Sequence, residues 1–311
     1  MTLDTDQPRL NYVTCASPAG AHRMAYWEWG DPRNDRVLVC VHGLTRTGRD
    51  FDELAKRAKD SYRVVCPDVV GRGKSDWLVK GSGYIVPQYV ADMLTLLARL
   101  APSTVDWVGT SMGGIIGMLV AGMLDSSPAR RPDRNGYGLP ETDNLHIRKM
   151  VLNDVGPTLT LEGLQRIATY VGQPGRFSSF EQAVDYVKDV SAGFGRHTDD
   201  EWRELTRYVV VKDGDDWVKH YDLRIAEPFA QQTLELVQAS EKALWGAYQS
   251  IRSPLLILRG EHSDLFAADA AQQMVQRHPD ARLHTVADTG HAPSLRSADQ
   301  CNAVLSFLQS T

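Results

Sequence analysis

Between Val105 and Met118 the chain reads Val-Asp-Trp-Val-Gly-Thr-Ser-Met-Gly-Gly-Ile-Ile-Gly-Met. A β-prone run meets an apolar helical pattern, with only Gly109-Thr110-Ser111-Met112-Gly113 between them. Such a junction must reverse the backbone within a few residues, so the positions two before and two after the serine have to be small. The serine at its apex is lifted clear of its neighbours. The helix that follows turns free N–H groups and its positive dipole end toward any negative charge forming above that oxygen. Gly-x-Ser-x-Gly also arises by chance; the strand before it and the helix after it give this instance its weight.

Strands and helices alternate on either side of this turn. An antiparallel hairpin is expected from two alternating stretches, Tyr12–Cys15 and Met24–Trp29. The apolar runs Val37–Val41 and Tyr62–Cys66 read as strands buried on both faces, and Lys149–Asn153 as a third strand of the sheet. Phe51, Leu54, Ala55 and Ala58 repeat at helical spacing, as do Val90, Met93, Leu94, Leu97 and Leu100. Residues 125–146, rich in Arg, Pro, Gly and Asp, read as a surface insertion. From residue 156 to 251 the alternation stops and helical patterns dominate, with Ser179-x-x-Gln182 and Thr198-x-x-Glu201 expected as capping boxes. This block concentrates Trp202, Trp217, Tyr221, Phe229 and Trp245. The α/β pattern returns at Pro254–Leu258, followed by a helix over 267–277, a strand over 282–286 and a last helix through Leu308. Residues 1–155 and 252–311 therefore form one α/β core, and 156–251 a helical insertion.

With 311 residues and a net charge of −5, the chain has room for a large core and no electrostatic attraction for nucleic acid or an anionic membrane. No apolar run approaches the ~20 residues that span a bilayer, and the polar Met1–Asn11 lacks the layout of a secretory signal. Cys15, Cys40, Cys66 and Cys301 are far apart, and two of them sit in apolar strands, which suits a reducing cytoplasm. The oligomeric state is left open, a homodimer included.

In a parallel sheet, ligands bind beyond the carboxyl ends of the strands. The residues found there are His42-Gly43, Asp68, Ser111, Asp154, Asp264 and His291. A serine becomes nucleophilic when a base takes its proton and a carboxylate holds that base in one tautomer. His291, after the last strand in Ala-Asp-Thr-Gly-His-Ala-Pro, is the expected base. Asp264, after the penultimate strand, is the favoured carboxylate and gives the order Ser, Asp, His. Asp154 is geometrically possible, and Asp288 is a third candidate. The backbone N–H groups of Met112 and Leu44 are the expected oxyanion donors. Arg46 and Arg49 could grip a substrate carboxylate, and Trp202 and Trp217 could contact substrate from the insertion. No zinc-type ligand spacing, Walker lysine or dinucleotide fingerprint appears, so neither metal nor cofactor is implied.

The chain resembles the α/β-hydrolase superfamily from about Tyr12 to Leu308. Its His-Gly loop falls on His42-Gly43, its Asp-x-x-Gly-x-Gly-x-Ser loop on Asp68, Gly71, Gly73 and Ser75, its nucleophile on Ser111, its acid on Asp264 and its Gly-His pair on Gly290-His291. The resemblance implies a mostly parallel eight-stranded sheet with helices on both faces and a helical cap inserted after strand 6. Serine at the turn departs from the aspartate of dehalogenases and epoxide hydrolases. The Ser-Met-Gly-Gly turn and Leu152-Asn153-Asp154-Val155-Gly156 are similar to carboxylesterases and meta-cleavage-product C–C hydrolases. The latter usually carry Trp after the catalytic histidine, where this chain has Ala292. The expectation is a serine carboxylesterase acting on small or medium acyl esters, with C–C bond or lactone hydrolysis as the alternative.

Overall fold

A computed structural model describes residues 7–126, 145–230 and 233–310. Most of the 125–146 insertion lies outside these residues, as does the side chain of Phe229. In chain order the core opens with β1 (Arg9–Ser17), β2 (Gly20–Trp29), β3 (Arg36–Val41), α1 (Asp52–Ala58), β4 (Arg63–Pro67) and α2 (Val86–Leu100). It continues with β5 (Thr104–Thr110), α3 (Met112–Ser126) and β6 (Ile147–Asn153). The next block holds α4 (Leu161–Ala168), β7 (Arg176–Phe177), α5 (Phe180–Val190), α6 (Asp199–Arg207), β8 (Val210–Asp213), β9 (Asp216–Lys219), α7 (Glu227–Ala230) and α8 (Leu234–Ser250). The chain closes with β10 (Leu255–Gly260), α9 (Ala268–Arg277), β11 (Ala281–Val286) and α10 (Ala298–Gln309).

The large sheet has eight strands in the order β1-β2-β4-β3-β5-β6-β10-β11. Only β2 runs against its neighbours; from β4 to β11 every pair is parallel. The fold class read from the alternation is the one observed. Along β3, Val37, Val39 and Val41 enter one core while Leu38 and Cys40 enter the other, as the two-residue period of a strand requires. Met93 of α2, Ile116 of α3, Tyr248 of α8 and Met274 of α9 fill the first core. Leu54 of α1 and Val304, Phe307 and Leu308 of α10 fill the second. A strand buried on both faces has to be apolar at every position, which is why β3 reads as a continuous hydrophobic run.

The insertion departs from an all-helical block. It contains a three-stranded sheet, β7-β9-β8, whose two- to four-residue strands carry too little alternation to announce themselves. Its own core gathers Val184, Val187, Trp202, Leu205 and Val209. Thr198 and Glu201 form the expected reciprocal cap at the start of α6. At α5 the Gln182 N–H donates to Ser179 Oγ, but the Gln182 side-chain Oε1 accepts from the Ser178 N–H instead, one residue early. The last helix of the block, α8, belongs with the sheet layer. It is the crossover helix between the parallel strands β6 and β10, and Ala247 packs directly on Gly122 of α3. Among the described residues no helix is long and apolar enough to cross a membrane.

At the turn between β5 and α3, Ser111 takes φ 52°, a left-handed conformation costly for a non-glycine residue. A side chain on Gly113 would collide with the Val41 carbonyl of β3, and one on Gly109 with the backbone of Gly113. The junction closes only because both are bare. Gly113→Val is expected to destabilise the protein by about 1–3 kcal/mol through overpacking. Denaturant unfolding measures this, and an unchanged midpoint would show that the junction has slack.

Candidate active site

The strand ends are stitched together before any side chain is considered. The Ser111 N–H donates to Asn153 O at 2.9 Å, tying the turn to β6, and the Asp154 N–H donates to Leu258 O at 2.8 Å, tying β6 to β10. Asp154 itself has φ 56°, which turns its side chain under the loop after β11. From that loop His291 reaches both partners. Its Nε2 lies 2.9 Å from Ser111 Oγ and its Nδ1 lies 2.7 Å from Asp154 Oδ2.

The carboxylate beside the imidazole is therefore Asp154, which corrects the assignment to Asp264. Asp154 has no solvent exposure and also accepts from the Gly260 N–H at 2.7 Å and the Ser263 hydroxyl at 2.6 Å. An acceptor-only carboxylate puts the proton on His291 Nδ1 and leaves Nε2 to accept from the serine hydroxyl. Asp264 lies four residues beyond the end of β10, where a turn closed by Ser263 N–H to Gly260 O carries the chain outward. There it is gripped in a two-point ion pair by Arg166 of α4. Burial works to raise the Asp264 carboxyl, and the guanidinium more than offsets this, holding it below the usual range. Asp288 is also elsewhere, at the surface near Arg196.

The expected oxyanion donors are oriented by the other half of their own peptide planes. Gly43 O accepts from His42 Nδ1 at 2.7 Å and from the Arg46 N–H at 3.2 Å. The Leu44 N–H of the same trans peptide points the opposite way, and Leu44 lines the cavity in front of Ser111. Ser111 O accepts from the Gly114 and Ile115 N–H groups inside α3, so the Met112 N–H points out beyond the helix end. His42 does its work neutral. Burial pushes its imidazole down to about 4, and its Nε2 accepts from the Val69 N–H at 2.9 Å.

Sequence reasoning passed over Arg72, in the middle of the Gly-rich loop. It is completely buried, yet no carboxylate pairs with it among the described residues. It donates to Leu44 O at 2.8 Å, Val70 O at 2.7 Å and Tyr89 Oη at 3.0 Å, and touches Met112 Sδ at 3.7 Å. One side chain thus braces both residues expected to supply the oxyanion hole. A buried, unpaired arginine is the signal, and burial cannot be read from a loop of mixed polarity.

The cavity before Ser111 has a volume of about 70 Å³, and Arg46, Arg166, Ile167, Tyr170 and Phe194 are among its walls. Arg46 is held by Asp50 through two 2.7 Å bonds and donates to Leu205 O at 2.9 Å, so it joins the oxyanion loop to α6. Arg49 is paired with Asp52 and stacked on Trp27 and Tyr208. Trp202 packs in the small core of the insertion and Trp217 against Phe180; neither lines the cavity, contrary to expectation. Two groups among the described residues have ligand atoms within 4.8 Å of one another: buried Cys15, His22 and Asp92, and exposed Glu261, His262 and Asp288. Neither lines the cavity. In the first, Asp92 already accepts from His22 at 3.0 Å and Gln88 at 2.8 Å.

The chain and its fold are similar to known proteins. A model of the alpha/beta hydrolase family matches residues 38–304. The chain is 50% identical over 291 residues to a 3-hydroxybutyrate-oligomer hydrolase of Cupriavidus necator, covering 92% of this chain and 93% of that one. A solved alpha/beta hydrolase from Novosphingobium aromaticivorans superposes with TM-score 0.79 at 31% identity, over 97% of this chain and 98% of that one. A solved protein from Rickettsia typhi superposes with TM-score 0.82 at 27% identity, over 97% of this chain and 100% of that one. The chain belongs to the alpha/beta hydrolase family.

Two outcomes are expected from mutagenesis. Asp154→Asn should lower kcat roughly 10⁴-fold by stabilising the wrong histidine tautomer, while Asp264→Asn changes it by less than about 10-fold, the loss of a part-exposed ion pair. Steady-state kinetics in the reverse order would restore Asp264 as the acid. Arg72→Met should cost about 10²-fold in kcat, the scale of one misplaced oxyanion donor, with KM nearly unmoved; a loss confined to KM would remove Arg72 from this role.

Proposed function

We propose that the protein is a serine hydrolase that cleaves ester bonds in short oligomers of 3-hydroxybutyrate or a closely similar hydroxy acid. The observation that carries the chemistry is the relay from Ser111 through His291 to Asp154, at 2.9 and 2.7 Å. The substrate class is supported by the identity to the Cupriavidus necator hydrolase across nearly all of both chains.

In this reading Ser111 Oγ bonds to the ester carbonyl carbon as its proton passes to His291 Nε2. Asp154 stabilises the imidazolium, and the Leu44 and Met112 N–H groups hold the oxyanion. Collapse breaks the C–O bond, and His291 gives its proton to the departing alkoxide. Water then attacks the acyl-serine, His291 takes one proton from it, and the carbonyl carbon leaves as a carboxylic acid while the proton returns to Ser111. Each turn releases one hydroxyl end and one carboxyl end.

The helices and small sheet between residues 156 and 233 act as the cap that selects the chain to be cut. Tyr170, Ile167 and Phe194 present its inner surface to the cavity. The four cysteines are free and buried, which suits work in the cytoplasm.

Purified protein is expected to release monomer from 3-hydroxybutyrate dimers and trimers, with Ser111→Ala inactive at an unchanged melting temperature. A lactone and a ring-cleavage dienone belong in the same panel. Faster turnover of either than of the oligomers would overturn the assignment.

A further inference from the structure

Behind the reaction cavity lies a second, smaller one of about 30 Å³, and Arg46, Tyr170, Val190 and Ser191 are walls of both. Its own wall carries Lys219, the last residue of β9, flanked by Tyr186 and Tyr221. Lys219 is 8% exposed. Its ammonium donates to Tyr170 O at 3.0 Å and Gln173 O at 2.8 Å, and lies 4.8 and 5.8 Å from the ring centres of Tyr186 and Tyr221.

The charge balance of this region is lopsided. Arg46 is neutralised by Asp50 and Arg166 by Asp264. Among the described residues no carboxylate pairs with Lys219, and burial alone pushes its ammonium down to about 8. An ammonium has three donors, of which carbonyls occupy two. A buried cation without a counter-ion is costly to maintain, so an anion entering this chamber meets a ready donor and an uncompensated charge. The chamber is small, about 30 Å³, so it suits a compact anionic group such as a carboxylate.

We infer that the Lys219 chamber binds the free carboxylate end of the substrate, making the protein selective for oligomers that terminate in an acid. This rests on the ester-oligomer reading above and narrows it. The arrangement also accounts for why a substrate chain would stop there: the carboxylate anchors one end, and the ester bond that falls over Ser111 is counted from it.

The test compares the 3-hydroxybutyrate trimer as free acid with its methyl ester. Wild-type protein should favour the acid by about 10- to 100-fold in kcat/KM, the range of a charge-assisted hydrogen bond. Lys219→Met should bring that ratio close to one, mainly through KM. A second measurement needs no variant. The charged and titratable groups that share the chamber wall with Lys219 are Arg46, which is paired with Asp50 outside it, and Tyr170, Tyr186 and Tyr221, and burial pushes all three phenols upward, Tyr186 to about 12. Lys219 is then the group that loses its charge near pH 8, so the wild-type preference for the acid should fade as pH rises through that value. Equal cleavage of acid and methyl ester by wild type, or a preference that survives Lys219→Met or is flat with pH, would overturn the subsite alone. If neither trimer is cleaved while simple esters are, the oligomer reading fails and the subsite with it.

Discussion

A carboxylate taken wholly out of water must be satisfied by the protein around it, and the site is built on one. Asp154 gathers a backbone N–H from Gly260, a hydroxyl from Ser263 and the imidazole of His291. These donors come from the end of β10, the loop that follows it and the loop after β11. None reaches the carboxylate unless β6 and β10 lie side by side in the observed register, with Asn153 opposite Leu258. Removing one partner from such a buried group leaves the others holding an uncompensated polar site, which is why its loss is felt more than the bond itself is worth. The serine depends on the same arrangement, since its own N–H is anchored on Asn153.

Much of this was legible in the sequence for physical reasons. A strand buried on both faces must be apolar throughout, and a sharp strand-to-helix reversal must have glycine at fixed offsets, so the sheet, Ser111 and its turn announce themselves. His291 is marked by its place after the last strand. The acid is not marked in this way. Asp154 and Asp264 both follow parallel strands that are neighbours in the sheet, and only a left-handed residue at 154 and a turn at 260–263 decide which of them faces the imidazole. Those are tertiary facts. Arg72 and Lys219 stayed hidden for a related reason: one stands in a glycine-rich loop and the other in a four-residue strand, and what sets them apart is burial without a partner carboxylate among the described residues. Trp202 illustrates the converse, an aromatic residue that a cap needs for its own small core.

The cap is joined to the core at points that also matter to the oxyanion loop. Backbone bonds run from Gly73 to His220 at 3.3 Å and from Asp222 to Gly71 at 2.8 Å, on either side of Arg72. Arg46 adds a side-chain link to Leu205. The N–H groups expected to hold the oxyanion are thus positioned by residues whose other hand is on the inserted block. A peptide plane fixed in this way needs no reorganisation when charge appears, which is the advantage of donors set during folding.

The placement of α8 divides the long insertion into two parts with different obligations. The final helix has to stay, because it returns the chain from one end of the sheet to the other and rests on α3. The helices and small sheet that precede α8 carry no such crossover duty, but through Leu205, His220 and Asp222 they hold the loops around Arg46 and Arg72. That outer head can therefore be altered only around those anchor points, since the loops beneath it lean on them.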